Sequence, residues 1–291
     1  MQELSGHQYL LFLELARNQY KKPKKVYGIS TFFLEICYDK VMVLKAALSA
    51  AKAQENMMTK KQILSLLGIF LLGACLLCTA SLAKKHRTKI EWDGNPYDIE
   101  NVNPIDAKLA RPYNKAFDDT GDIFVGLAGL SVAVAIAVVF FRSKEKLQAF
   151  KAALYDCIVF GISGMYVNSF YRILKTLAGR IRPYMYFANP SQKGIEEGDF
   201  YRSWPSGHSA NVFIAFGFLL CWLGVRKADS KLKMPVLTVS FLICITTMVL
   251  RLLSGNHFLT DVLSGAALGF AVSFAISKLC YKVYGSEVEV K

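Results

Sequence analysis

The chain has 291 residues, 53% of them hydrophobic, and a formal net charge of +13. That apolar share points to the membrane class and excludes a pair of soluble domains. The basic residues fall in short clusters between apolar runs, as Lys and Arg do in loops that meet anionic headgroups; no groove-reading module gathers them, which excludes nucleic acid as the partner.

Residues 1–57 come first and carry no membrane signal. Lys21, Lys22, Lys24 and Lys25 flank Pro23 in a basic loop, and 31–53 fits an amphipathic helix in which Glu35, Asp39, Lys40 and Lys45 exclude a span. This part is expected to be a cytoplasmic extension. Met57 and Met58, directly before Thr59-Lys60-Lys61, read as an alternative start.

From 58 to 291 the sequence predicts one membrane domain, all-α, built as a six-transmembrane-helix bundle. The apolar segments are 63–83, 123–141, 152–171, 209–225, 234–250 and 258–277, the last three short for the roughly 20 residues a bilayer asks. Asp156 is the one acid in the third segment. Leu72-Gly73-Ala74-Cys75 resembles a lipoprotein box and Ser81-Leu82-Ala83 a signal-peptidase site, but an uncut first helix keeps the helix count even. The seven cysteines show no metal-ligand spacing, and Cys75 and Cys78 fall inside an apolar run as packing residues.

Orientation follows from the short basic loops. Lys60 and Lys61, then Arg142, Lys144 and Lys146, then Arg226, Lys227, Lys231 and Lys233 share one side, which is cytoplasmic. Lys84, Lys85, Arg87 and Lys89 oppose this, but they open a long mixed-charge loop that weighs less. Both termini are then expected inside. The expected setting is a bacterial inner membrane, with the motifs below at the outer membrane-water interface, facing the periplasm or outside.

Three short motifs carry chemistry. Lys175 is followed after six residues by Arg182-Pro183; the loop Pro205-Ser206-Gly207-His208 opens an apolar helix; Arg251 is followed by His257 and, four residues on, Asp261. Lys175, Arg182 and Arg251 supply fixed cations of the kind that balance phosphoryl charge, Arg through a bidentate fork. Ser206 is placed to cap the helix, Gly207 lets the backbone approach a ligand, and the helix start favours an anion. His257 and Asp261 share a helix face, so the carboxylate can fix the ring tautomer and leave the other nitrogen to attack phosphorus. His208 can protonate a leaving oxygen. Arg180, between Lys175 and Arg182, reads as a residue snorkelling to the interface.

In this order and spacing the motifs resemble the type-2 phosphatidic acid phosphatase superfamily, which includes vanadium haloperoxidases and glucose-6-phosphatase. The resemblance covers about 170–270 directly. It implies His257 as nucleophile, His208 as general acid, Asp261 as the acid that orients His257, and phosphate binding by Lys175, Arg182, Ser206, Gly207 and Arg251. Leu250 stands where the family usually has Ser before that Arg. The resemblance implies no metal or other cofactor, and a phospholipid or polyprenyl phosphate as substrate, hydrolysed within the bilayer. Undecaprenyl diphosphate, phosphatidylglycerophosphate, phosphatidate and a lipid A phosphate all fit. A phosphotransferase using the same histidine and a non-catalytic lipid-phosphate binder remain as alternatives; a haloperoxidase is disfavoured by the six spans. Tyr184, Tyr186, Phe187, Phe200 and Tyr201, between the first two motifs, read as an interfacial belt or a lid.

Overall fold

The computed structural model describes residues 59–87, 90–228 and 230–284. The extension expected over 1–57, with its amphipathic segment, lies outside them. In chain order the elements are α1 (Lys60–Lys85), a 3-10 turn (Ile99–Asn101), α2 (Pro104–Leu109), α3 (Lys115–Arg142), α4 (Lys146–Ala178), a second 3-10 turn (Pro183–Tyr186), α5 (Gln192–Glu196), α6 (Gly207–Val225), α7 (Ser230–Leu253) and α8 (Leu259–Tyr284). No strand occurs among the described residues.

All six expected spans form, and each helix is long and apolar enough to cross a bilayer, the architecture of an integral multi-pass membrane protein. They run past the apolar windows because polar residues at the ends keep helical geometry while leaving the hydrocarbon. α4 gains most, reaching 33 residues, and Lys175 falls in the added turns. α7 and α8 have 24 and 26 residues, so neither is short. The ends are capped locally. Thr59 and Gln62 form a capping box at α1, and the Asn114 side chain accepts from Phe117 N at the start of α3. Gly179, in left-handed geometry at φ 59°, ends α4.

α6 is the axis of the bundle. Trp222, Phe218, Leu219 and Leu223 are buried along it, and it packs most extensively against α8. Their backbones meet because glycine lines the crossing. A β-carbon on Gly217 would stand 2.8 Å from Phe270 O, and ones on Gly265 and Gly269 would meet the Ser206 and Ala210 carbonyls. The same crossing brings the second and third motifs together. By contrast α1, α3 and α7 turn Leu64, Leu72, Leu130, Phe141 and Leu242 outward, the surface that lipid covers.

The aromatic loop corrects the sequence reading. Tyr184, Phe200 and Tyr201 are at most 5% exposed and, with Met185, make a second small core packed by Trp92, Tyr97, Tyr113 and Ile181. They form no belt facing headgroups. The loop between α1 and α3 folds over them, and Tyr97 N donates to Met185 O at 3.0 Å.

Candidate active site

The motif residues gather at the end of the bundle where α1, α4 and α7 finish and α3, α6 and α8 begin. Lys175, in the last turns of α4, is buried, and its Nζ donates to Arg202 O at 2.8 Å. Arg182 is fixed by Nε to Asp199 O (2.9 Å), Nη1 to Asn256 Oδ1 (2.6 Å) and Nη2 to Asp199 Oδ2 (2.5 Å). Its fork is thereby pre-organised rather than swinging freely.

Ser206 caps α6 as expected, its Oγ accepting from Ser209 N at 3.3 Å. Ser206 N donates to Asp261 O at 2.9 Å, which stitches the second motif to the third. A β-carbon on Gly207 would press on the Tyr171 ring at 3.1 Å. His208 Nε2 stands 2.5 Å from Asp122 Oδ1 of α3.

His257 precedes α8 and is 2% exposed. Its Nδ1 lies 3.6 Å from Asp261 Oδ2, an ion-pair distance beyond hydrogen bonding. Asp261 Oδ2 already accepts from Ser203 Oγ (2.5 Å) and Phe258 N (2.9 Å), and Oδ1 from Arg180 Nη1 (2.5 Å). The carboxylate is therefore locked in place beside the ring. Arg251 is 1% exposed; its Nη2 donates to Asp118 Oδ1 at 2.6 Å and to Ser254 Oγ at 3.2 Å.

A cavity of about 410 Å³ opens here, walled by Lys175, Arg182, Gly207, His208 and His257 among others. Ser206, Arg251 and Asp261 stand behind that wall. Burial, then the charges of Lys175, Arg182 and Arg251, push His257 well below the ordinary imidazole range, so the ring is neutral. Burial would raise the Asp199 carboxyl, but Arg182, Lys175 and Arg202 outweigh it and hold it well below the usual carboxylate range. Among the described residues no group of three or more His, Cys, Asp or Glu has the arrangement to hold a metal ion.

Sequence reasoning missed several of these groups. Arg180 does not snorkel: Nη2 donates to Asp106 Oδ2 at 2.8 Å while Nη1 reaches Asp261 and Thr260, and the guanidinium lies 4.4 Å from the Phe258 ring centre. Asp106 is wholly buried and also accepts from Thr260 N and Oγ1 and Asn103 Nδ2. Burial would raise its carboxyl, yet these donors hold it below its ordinary value. The available signal for Arg180 was its place inside the first motif. Asp106, Asp122, Asp199 and Ser203 had none.

The fold and site define an all-helical membrane protein with two histidines and a set of fixed cations around one cavity. The family model of the PAP2 superfamily matches residues 152–284. No curated protein matches the chain. A solved structure, titled the first transmembrane PAP2 type phosphatidylglycerolphosphate phosphatase from Bacillus subtilis, is similar at 20% identity, covering 77% of this chain and 98% of that one, with a TM-score of 0.38.

Proposed function

We propose that the protein is a membrane-embedded phosphatase that hydrolyses a lipid phosphate or diphosphate through a phosphohistidine, without a metal ion. The observation that carries this is the meeting of Lys175, Arg182, His208 and a neutral, buried His257 on one cavity. Six spans around that cavity favour a substrate presented from the bilayer, and the outer face of a bacterial inner membrane is the expected setting.

With Nδ1 turned toward Asp261, His257 Nε2 attacks phosphorus. The N–P bond forms as the ester P–O bond breaks, and the leaving oxygen takes the proton of His208. Water then gives a proton to His208 and attacks phosphorus, the N–P bond breaks, and inorganic phosphate leaves. Lys175, Arg182 and the amides at the α6 start, opened by Ser206 and Gly207, hold the non-bridging oxygens; Arg251 adds its charge from behind the wall. Asp261 steadies the imidazolium character that grows on His257, and the 3.6 Å gap is of the kind that tightens when substrate is bound.

The test is phosphate release from phosphatidate, phosphatidylglycerophosphate, undecaprenyl diphosphate and a lipid A in detergent micelles with excess EDTA. Release by the wild type that vanishes in His257→Ala is expected. Collapse under EDTA contradicts the metal-free route, and release retained in His257→Ala contradicts the nucleophile. No release until an alcohol acceptor is added would favour a phosphotransferase; binding without turnover would favour a lipid-phosphate binder.

A further inference from the structure

We infer that Lys84 and Arg202 form a second anion subsite beside the one for the reacting phosphate, and that the preferred substrate carries a second phosphoryl group. This rests on the phosphatase reading above and narrows its substrate class.

Arg202 is 6% exposed, yet its Nε has no hydrogen-bond partner among the described residues. Its nearest carboxylate oxygen, Asp199 Oδ1, is 3.8 Å from Nη1, while the other oxygen is taken by Arg182. A buried guanidinium nitrogen without an acceptor carries an uncompensated desolvation cost, and a phosphate oxygen offsets it. The carbonyl of the same residue holds Lys175 Nζ, so Arg202 borders the reacting phosphate directly.

Lys84, in the last turn of α1, completes the pair. Lys84 and Arg202 both line the catalytic cavity and a neighbouring one of about 770 Å³, so they stand where the two meet. The charge on the catalytic wall agrees. Five basic side chains (Lys84, Arg172, Lys175, Arg182 and Arg202) face two carboxylates, Asp122 and Asp199, so the wall is strongly basic. Beyond the pair, Trp92 and Tyr201 with Lys85 and Arg87 line the neighbouring cavity, which offers room for the rest of a polar group.

A second phosphoryl group is either bonded directly to the first, as in a lipid diphosphate, or separated by a linker, as in phosphatidylglycerophosphate. Both are compared with phosphatidate of the same acyl chains, using the full chain in micelles and kcat/KM as readout. Wild type is expected to favour one two-phosphate lipid over phosphatidate by about tenfold or more, the worth of one charge-assisted contact. Lys84→Ala removes most of that lead, lowering kcat/KM on the favoured two-phosphate lipid by several-fold more than on phosphatidate. Which lipid leads assigns the spacing. Equal loss on all three lipids, or a wild type favouring phosphatidate, overturns the subsite while His257-dependent release leaves the phosphatase standing.

Titration of the detergent-solubilised protein with inorganic phosphate, pyrophosphate and glycerol 1,3-bisphosphate reads the subsite without turnover. One two-phosphate probe should bind about tenfold tighter than phosphate, and Lys84→Ala should close the gap; equal affinities overturn the proposal. That preference, found without His257-dependent release from any lipid, would keep the subsite and sink the phosphatase.

Discussion

Two buried ionic clusters sit at opposite ends of α4, about Asp156 and Lys175, 19 residues and roughly 28 Å apart by helical rise. At the Asp156 end every oxygen is used. Oδ1 accepts from Arg226 Nη2 (2.5 Å) and Tyr281 OH (2.7 Å), Oδ2 from Trp222 Nε1 (2.7 Å) and Arg226 Nε (3.2 Å). The cavity beside it is only about 10 Å³. At the Lys175 end, Arg202 Nε, Arg251 Nε and His257 Nδ1 have no hydrogen-bond partner among the described residues, and a cavity of about 410 Å³ opens in front of them. Saturation marks a clasp that ties α4, α6 and α8. Buried nitrogens without partners around an opening mark a site arranged for something else to complete.

The largest effect that would sharpen this contrast is at His257. His257→Ala should lower kcat by about 10⁴-fold or more with the fold retained, measured by phosphate release beside a melting curve. Asp156→Ala should do the reverse. It takes away the carboxylate to which Trp222 Nε1 and Tyr281 OH donate and costs about 1–3 kcal/mol of stability for each buried donor left unsatisfied, leaving turnover per folded molecule unchanged. Thermal denaturation in detergent with a folded-fraction activity assay checks it, and loss of turnover at unchanged stability would dissolve the distinction between the two ends.

Smaller effects probe how Asp261 is held. Asp106→Asn loosens Arg180 and should reduce kcat about 10–100-fold while KM stays within about twofold, because Arg180 steadies Asp261 rather than the substrate. A drop in melting temperature alone would make Asp106 merely structural. Ser203→Ala removes one hydrogen bond to Asp261 and should cost about tenfold in kcat. The pH profile of kcat/KM gives an independent check. Protonation disables the nucleophile, so the acid limb of activity is set by His257: activity is lost as pH falls through its pKa in the folded protein. Since that pKa is depressed, the acid limb should lie below the ordinary imidazole value of about 6.5. A limb at or above it contradicts a neutral buried His257.

What could be read from the sequence follows from where each signal resides. The six helices were legible because apolar runs of bilayer length are local. The eight motif residues were legible because their spacing is local too, and the structure brings them to one end of the bundle. The Arg180–Asp106 pair joins residues 74 apart and the His208–Asp122 pair residues 86 apart, so no window of sequence contains either. Composition also failed at Tyr184, Phe200 and Tyr201, since a ring facing lipid and a ring facing protein read alike until the α1–α3 loop is seen to cover them.

The central claim is that phosphate passes through His257. The most direct measurement is the stereochemical course at phosphorus, using a lipid thiophosphate made chiral with two oxygen isotopes and hydrolysed in water of the third. Two in-line displacements predict overall retention of configuration. Inversion would mean that water attacks directly, with no phosphohistidine between, and would contradict the account.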